Sequence, residues 1–435
     1  MVKQFVTVIL ILVYANTFAQ FSVDGQLLLR AEYRHGYGKL IGTNQEGAFF
    51  IGQRARVQAQ YKHEKIRLYI SGQDVRTWGS TPQAKESDAY FSIHEAYVEI
   101  PLHEHWAVKL GRQELNYDNA RFLGNLDWAL QARAHDFGLL KFEKEALRLH
   151  VGGGYNQVKE TLVNQPYTLA NQYKTAQMLW AEKIWGSFKT TALFWNQGLA
   201  QLTYDTLGNV TGESIRFSQT FGLPVLQYTH SEFTFSGFFY LQTGKDITNK
   251  KLQTHNLSVQ ITHRHTFNKD KGSSFQTTLG AEYLSGTSQQ ANDNVNRSYN
   301  PFYGTNHAHN GYMDYFFVGN RHTNSVGLQD YFLRLRWNPK EVVFISCNMH
   351  QFLAAADVYD GGDPLKKYFG AEVDFTAGYI VNDILSLQGG YSQFFGSDTI
   401  KNVQRVPEEA RMQNWGYLAL LVRPNMKNRF VGLQF

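Results

Sequence analysis

Residues 49–62 read FFIGQRARVQAQYK. In an extended chain, Phe49, Ile51, Gln53, Ala55, Val57, Ala59 and Tyr61 share one face, while Phe50, Gly52, Arg54, Arg56, Gln58, Gln60 and Lys62 share the other. Successive side chains of a strand point to opposite faces, so the stretch reads as a strand with an apolar-to-small side and a polar side. The alternation outlasts the roughly five or six residues of an ordinary soluble strand. A strand lying between lipid and a wet lumen needs this length and these two faces. A soluble sandwich shares the alternation, but with shorter strands.

The same period recurs along the chain. Tyr331, Leu333, Leu335 and Trp337 alternate with Phe332, Arg334 and Arg336. Phe369, Ala371, Val373, Phe375, Ala377 and Tyr379 alternate with Gly370, Glu372, Asp374, Thr376 and Gly378. Leu257, Val259 and Ile261, and then Phe275, Thr277, Leu279, Ala281 and Tyr283, follow the same rule. Tyr61, Trp337 and Tyr379 close their apolar faces as an interfacial aromatic girdle would.

Composition agrees. Of 435 residues, 18% are charged and 15% aromatic, and the net charge is only +5. Disorder needs more charge and fewer aromatics, and a helical bundle needs more Ala, Glu, Lys and Leu. The small net charge gives no indication of nucleic-acid binding. The lone Cys347 excludes a disulfide framework or a cysteine-based metal site. Lys3, the apolar run Phe5 to Val13 and Thr17-Phe18-Ala19 read as a signal peptide over 1–19, leaving residues 20–435 as one exported domain. No later stretch supplies the ~20 apolar residues of a membrane-spanning helix.

Connections alternate in length. Short ones are expected at His63 to Lys65, Leu102 to Glu104, Asn268 to Gly272, Asn338 to Lys340 and Val381 to Asp383. Long ones are expected at Thr77 to Ala89, Asn116 to Ala134, Gln157 to Thr175, Gly198 to Glu213, Gly286 to Val326, Ala354 to Lys366 and Gln393 to Ala410. This predicts an all-β fold: a transmembrane antiparallel β-barrel of about 18 strands, with short periplasmic turns and long extracellular loops. The alternating end at Val431, Leu433 and Phe435 fits a closing strand. A barrel of that size leaves room for an aqueous channel. The segment from Gly286 to Val326 is too long for an ordinary hairpin loop. Its aromatics (Tyr299, Phe302, Tyr303, Tyr312, Tyr315, Phe316, Phe317) predict a partial plug over or inside the mouth.

Two blocks carry a family resemblance. The first is Leu110-Gly111-Arg112-Gln113-Glu114-Leu115, then Asn116-Tyr117, Arg121-Phe122-Leu123-Gly124, Asp127-Trp128 and Arg133-Ala134-His135-Asp136. The second is Asn300 to His307, followed by Asn310 to Phe316. Both resemble the signature blocks of the alginate export family of outer-membrane porins, although His135 stands where the family more often has an aromatic or aliphatic residue. Gly280 to Gly286 and Asn414 to Tyr417 are weaker matches in the same order. The resemblance implies a monomeric barrel in outer-membrane lipid that passes an anionic polysaccharide, such as alginate, through an arginine-rich constriction.

A passage for polyuronate needs fixed positive charge facing the lumen. Arginine stays charged and pairs bidentately with carboxylates. By parity, Arg30, Arg34, Arg54, Arg56, Arg148, Arg264, Arg334 and Arg336 face the lumen, with Glu32, Glu282, Glu372 and Asp374 interspersed. Arg54 with Arg56, and Arg334 with Arg336, are expected to form successive docking points. The family block adds Arg112, Arg121, Arg133 and Asp136, either touching cargo or pinning a folded loop.

Other patterns carry less. His263 with His265, and His307 with His309, are spaced for one strand face, but no sequence neighbour completes a metal set. Asp360 to Asp363 reads as a turn rather than a Ca²⁺ loop, and Gly152 to Gly154 as close strand packing. Neither a metal nor a cofactor is expected. A general or carboxylate-uptake porin is the alternative function. A barrel-embedded lipid hydrolase is a third reading, weakened because Ser346 and His350 stand four residues apart on the lumen side. No enzyme activity is expected.

Overall fold

The structure, a computed structural model, describes residues 19–84, 87, 90–316, 325–406, 408, 412–424 and 430. Eighteen strands form one sheet. The first six are β1 (Ala19–His35), β2 (Ala48–His63), β3 (Ile66–Thr77), β4 (Phe91–His103), β5 (Trp106–Gln113) and β6 (His135–Lys144). Then come β7 (Leu147–Tyr155), β8 (Thr175–Trp185), β9 (Phe188–Tyr204), β10 (Val210–His230), β11 (Phe233–Gly244) and β12 (Thr254–Asn268). The last are β13 (Ser273–Leu284), β14 (Leu328–Lys340), β15 (Val343–Leu353), β16 (Tyr368–Ile380), β17 (Leu385–Gly396) and β18 (Gln413–Val422). Each pairs antiparallel with its neighbour in sequence, and β18 pairs back onto β1 through Leu27↔Val422 to His35↔Asn414. Closure removes the edge and satisfies the ladder on every strand, the condition for crossing lipid with β-structure. Among the described residues no helix is long and apolar enough to cross a membrane. All but Ala19 of the proposed signal peptide, and the terminal Val431, Leu433 and Phe435, lie outside the described residues.

The faces follow parity. In β2, Phe49 and Val57 are 68% and 61% exposed on the outer wall, while Arg54 on the opposite face is 0% exposed. Tyr61, Trp106, Trp185, Tyr228, Trp337 and Tyr379 are exposed close to the short turns and make one aromatic girdle.

Some expectations need correction. Gly198 to Glu213 is not a long loop: β9 and β10 stay paired from Gly198↔Phe217 to Val210↔Tyr204, with a one-residue register shift between Gly212 and Val210, and are joined only by 205–209. Asn338 to Lys340 belongs to β14, and the turn is 341–342. Long connections at 36–47 and 245–253 were not anticipated. Phe369 does not face lipid. The register slips between Phe352↔Gly370 and Leu353↔Tyr368, and Phe369 turns inward to 3% exposure. Asp360 to Asp363 is a small hairpin, as expected of a turn. Gly152 lies in β7 where an added Cβ would stand 2.4 Å from the Gly138 carbonyl oxygen, which accounts for the glycine run.

Two connections fold into the barrel. Leu115, Phe122, Leu123 and Trp128 of 114–134 share a buried cluster with Tyr299, Tyr303, Met313, Tyr315 and Phe316 of 285–316 and with the wall residues Trp195 and Trp415. The two segments are tied directly: the Gly124 amide donates to the Tyr303 carbonyl (2.9 Å), and the Thr305 amide to that of Ala120 (2.8 Å). Gly304 permits this approach, since a Cβ there would lie 2.2 Å from the Arg121 carbonyl oxygen. The plug expected from 286–326 is therefore present, and 114–134 forms its other half. Phe317 falls outside the described residues.

Candidate solute pathway

The plug divides the lumen. On the long-loop side lies a cavity of about 600 Å³, whose lining includes Arg30, Glu32, Arg34, Trp128, Arg133 and Asp314. On the short-turn side lies one of about 230 Å³, lined among others by Asp118, Lys189, Glu282, His309 and Arg334.

In the upper cavity, Arg30 and Arg34 share one carboxylate. Arg30 Nε lies 2.7 Å from Glu32 Oε1, and Arg34 Nη2 lies 2.8 Å from Oε2. Arg30 also donates to the Trp128 carbonyl (2.6 Å) and covers that ring at 4.3 Å. His307 stacks on Trp128 at 4.5 Å. This indole is thus a structural platform for protein groups. Arg133 donates to the Gly304 carbonyl (3.1 Å), and burial lowers its guanidinium pKa to about 10. His307 pairs with Asp314 at 3.0 Å. Four guanidinium groups line the cavity, and Arg76 pairs with Asp74 outside the lining. Arg30, Arg34 and Arg133 then face the two carboxylates Glu32 and Asp314, which leaves a surplus positive charge.

Other predicted lumen residues anchor the plug. Arg54 reaches Asp127 at 2.8 Å and also donates to the Asp127 and Leu130 carbonyls. Burial pushes the Asp127 carboxyl up, but Arg54, Arg423 and Arg56 outweigh it and hold the pKa below the usual range. Arg56 donates from Nε (3.0 Å) and Nη2 (2.7 Å) to Gln73 Oε1. Arg334 donates to the His309 carbonyl (3.2 Å) and covers Phe332. Glu282 meets Arg121 at 2.7 Å and accepts from Asn310 (3.0 Å). Glu372 accepts the Met313 amide (2.8 Å), and neighbouring Asp374 is buried beside it. Arg54, Arg56, Arg334, Glu282, Glu372 and Asp374 therefore face inward as predicted, yet protein groups cover them where a docking surface was expected.

Arg112 and Asp136 are corrected outright. They pair at 3.0 Å with side chains 41% and 61% exposed. Arg112 shares its face of β5 with exposed Leu110, and Asp136 its face of β6 with exposed Leu140, so both point outward. Arg336 stays in the lower lumen, donating to Asn338 (3.0 Å) and lying over Phe344. It stands in register with Gln276, whose other neighbour is exposed Arg264, putting the two arginines about 10 Å apart across three strands. Ser346 engages Thr376 while His350 bonds Asp330 at 2.9 Å, so the two make no nucleophile–base pair.

Sequence reasoning did not single out individually Asp127, Trp128, Asn310, Asp314 or Tyr37, whose hydroxyl donates to Asp314 and whose ring lies under Arg34. Polar residues inside aromatic-rich loops are the signal that could have found them.

A closed eighteen-strand barrel with a folded-in plug and a charged lumen defines a porin-type channel. The profile of the alginate export family matches residues 20–414, and the chain belongs to that family. Among solved structures, OccAB4 of Acinetobacter baumannii superposes with a TM-score of 0.61 at 12% identity, covering 94% of this chain and 99% of that one. The BenF-like porin of Pseudomonas fluorescens Pf-5 gives 0.59 at 10% identity, covering 93% and 98%. The outer membrane protein OpdK of Pseudomonas aeruginosa gives 0.56 at 11%, covering 92% and 98%. At these identities the likeness is one of fold. No curated protein matches the chain in sequence.

Proposed function

We propose that the barrel passes an anionic oligo- or polysaccharide of the polyuronate type across the outer membrane, with the plug displaced during passage. The observation that carries this reading is the upper cavity, where Arg30, Arg34 and Arg133 outnumber Glu32 and Asp314 at the face of the plug. A sugar carboxylate entering there exchanges water for guanidinium donors in a space of low dielectric, where their field is focused. The interspersed carboxylates keep each docking point weak enough to release its ligand. On the short-turn side Arg264 and Arg336 offer the next positive pair. Membership of the alginate export family supports the substrate class.

The second reading is uptake of small carboxylates. It is favoured by the modest cavity, about 600 Å³, and by fold likeness to OpdK, which has been solved with vanillate. Single-channel recording separates the two. Oligouronate added on the long-loop side should block current in a chain-length-dependent manner, while a neutral oligosaccharide of equal length should not. Block by small aromatic carboxylates alone would favour the second reading.

A further inference from the structure

One cluster outside this cavity has metal-ligand chemistry. In the β3–β4 ladder Ser71 pairs with Glu95 and Gly72 with Ile93, so His94 is the extra residue of a bulge. A bulge lets two consecutive side chains turn to one side. Ile93 is exposed on the outer wall, whereas His94 is only 4% exposed on the inner side. Glu95 follows on that inner side, sharing its face with Tyr97, whose ring stacks on Tyr69. Glu114 comes from the point where 114–134 leaves β5 and enters the lumen.

These three meet. His94 Nε2 lies 2.8 Å from Glu114 Oε1, and Glu95 Oε1 accepts the Glu114 amide at 3.0 Å. Asn125, further along the plug segment, donates to Glu114 Oε2 at 2.9 Å. One ligand atom from each of His94, Glu95 and Glu114 lies within 4.8 Å of the other two. Among the described residues, the ion partner of this carboxylate pair is the His94 imidazole; nearby Arg56 is engaged by Gln73, and Lys109 lies over Tyr97. Two partly buried carboxylates facing one imidazole leave negative charge that a dication would balance.

We propose that His94, Glu95 and Glu114 bind one divalent transition-metal ion of the zinc class, which clips the root of the plug to the barrel wall. One nitrogen and two carboxylate oxygens form a three-ligand set with a fourth position open to water, as zinc accepts. Calcium would want six to eight oxygens, and the imidazole disfavours it. Tetrahedral ligands about 2.1 Å from zinc stand about 3.4 Å apart, so closing the set takes side-chain shifts on the order of 1 Å. Asn125 then holds the second oxygen of Glu114, the kind of outer contact that orients a ligating carboxylate. The site is independent of what crosses the channel.

The test is Zn²⁺ titration of the detergent-purified full chain after chelator treatment. One equivalent should bind, raise the unfolding temperature and slow proteolysis within 114–134. Glu114→Gln and His94→Ala should each weaken binding at least tenfold, while a variant of the exposed rim pair, His263→Ala with His265→Ala, should not. Binding that is lost in the rim variant but kept in the other two overturns the proposal. Because His94→Ala could disturb the bulge, the unaltered chain is also loaded with Co²⁺. Intense visible bands of a four-coordinate site support the assignment, and their absence overturns it, as does stabilisation by Ca²⁺ but not Zn²⁺.

Discussion

Arg121 Nε lies 2.7 Å from Glu282 Oε1, joining the plug to strand β13, and the two side chains are 0% and 4% exposed. Arg121 also donates to Asn306 (3.3 Å) and Asn310 (2.8 Å), and Asn310 in turn donates to Glu282 (3.0 Å) and Asp330 (3.2 Å). One arginine thus ties both plug segments to the wall, through an ion pair with Glu282 and hydrogen bonds to Asn306 and Asn310.

Breaking that pair should open the channel. Glu282→Gln leaves the Arg121 charge buried without its carboxylate, a loss on the order of 3–5 kcal/mol for a pair of this kind. Because the sheet ladder is untouched, the loss should fall on the plug. Planar-bilayer recording should show larger, noisier conductance with heat-modifiable gel migration retained. Unchanged current would mean that the network does not hold the plug closed.

The plug should also loosen in mild acid. Burial lowers the His309 pKa well below its usual 6.5, and the charges of Arg121 and Arg334 lower it further. The imidazole is neutral in the docked plug, while a released plug takes up a proton below about pH 6.5. Docking is therefore unaffected above that value and weakens as pH falls through it, by up to about 1.4 kcal/mol per pH unit. Opening frequency should rise between pH 7 and 5.5 in the native chain, and His309→Asn should flatten the slope.

Deleting Asn306 to Asp314 should raise conductance, because this stretch fills the lumen against Arg121, Arg334 and Glu372. Equal conductance in the deletion variant would place the limiting constriction elsewhere, for example in 114–134.

Selectivity should respond to the arginines that line open space. Arg264→Gln with Arg336→Gln, and separately Arg34→Gln, should move the reversal potential in a salt gradient towards cations without destabilising the barrel. Arg54→Gln should act differently, as an anchor lost from Asp127. It should lower the unfolding temperature and admit current through a loosened plug. If Arg54→Gln shifts only selectivity, that arginine is pore-lining and the anchoring role assigned to it is wrong.

The sequence by itself determined the barrel, its strand number to a close approximation, and the inner or outer face of most strand residues. Alternation depends only on adjacent positions, and lipid outside with polar surroundings inside writes it into each strand. Arg112 was legible in the same way, since Leu110 two residues earlier already marks the outer face; the family block drew it inward. His94 and Phe369 were not legible, because an extra residue in a ladder reverses phase without changing the types of residue around it. What only the tertiary structure decided is whether an inward arginine meets water or protein. Arg54 is bound by Asp127, 73 residues away, and Arg121 by Asn310, 189 away. Parity fixes a direction from the strand, but the occupant of the lumen is set by which distant loops bury their aromatics there, and that free energy is shared among segments that no local pattern joins.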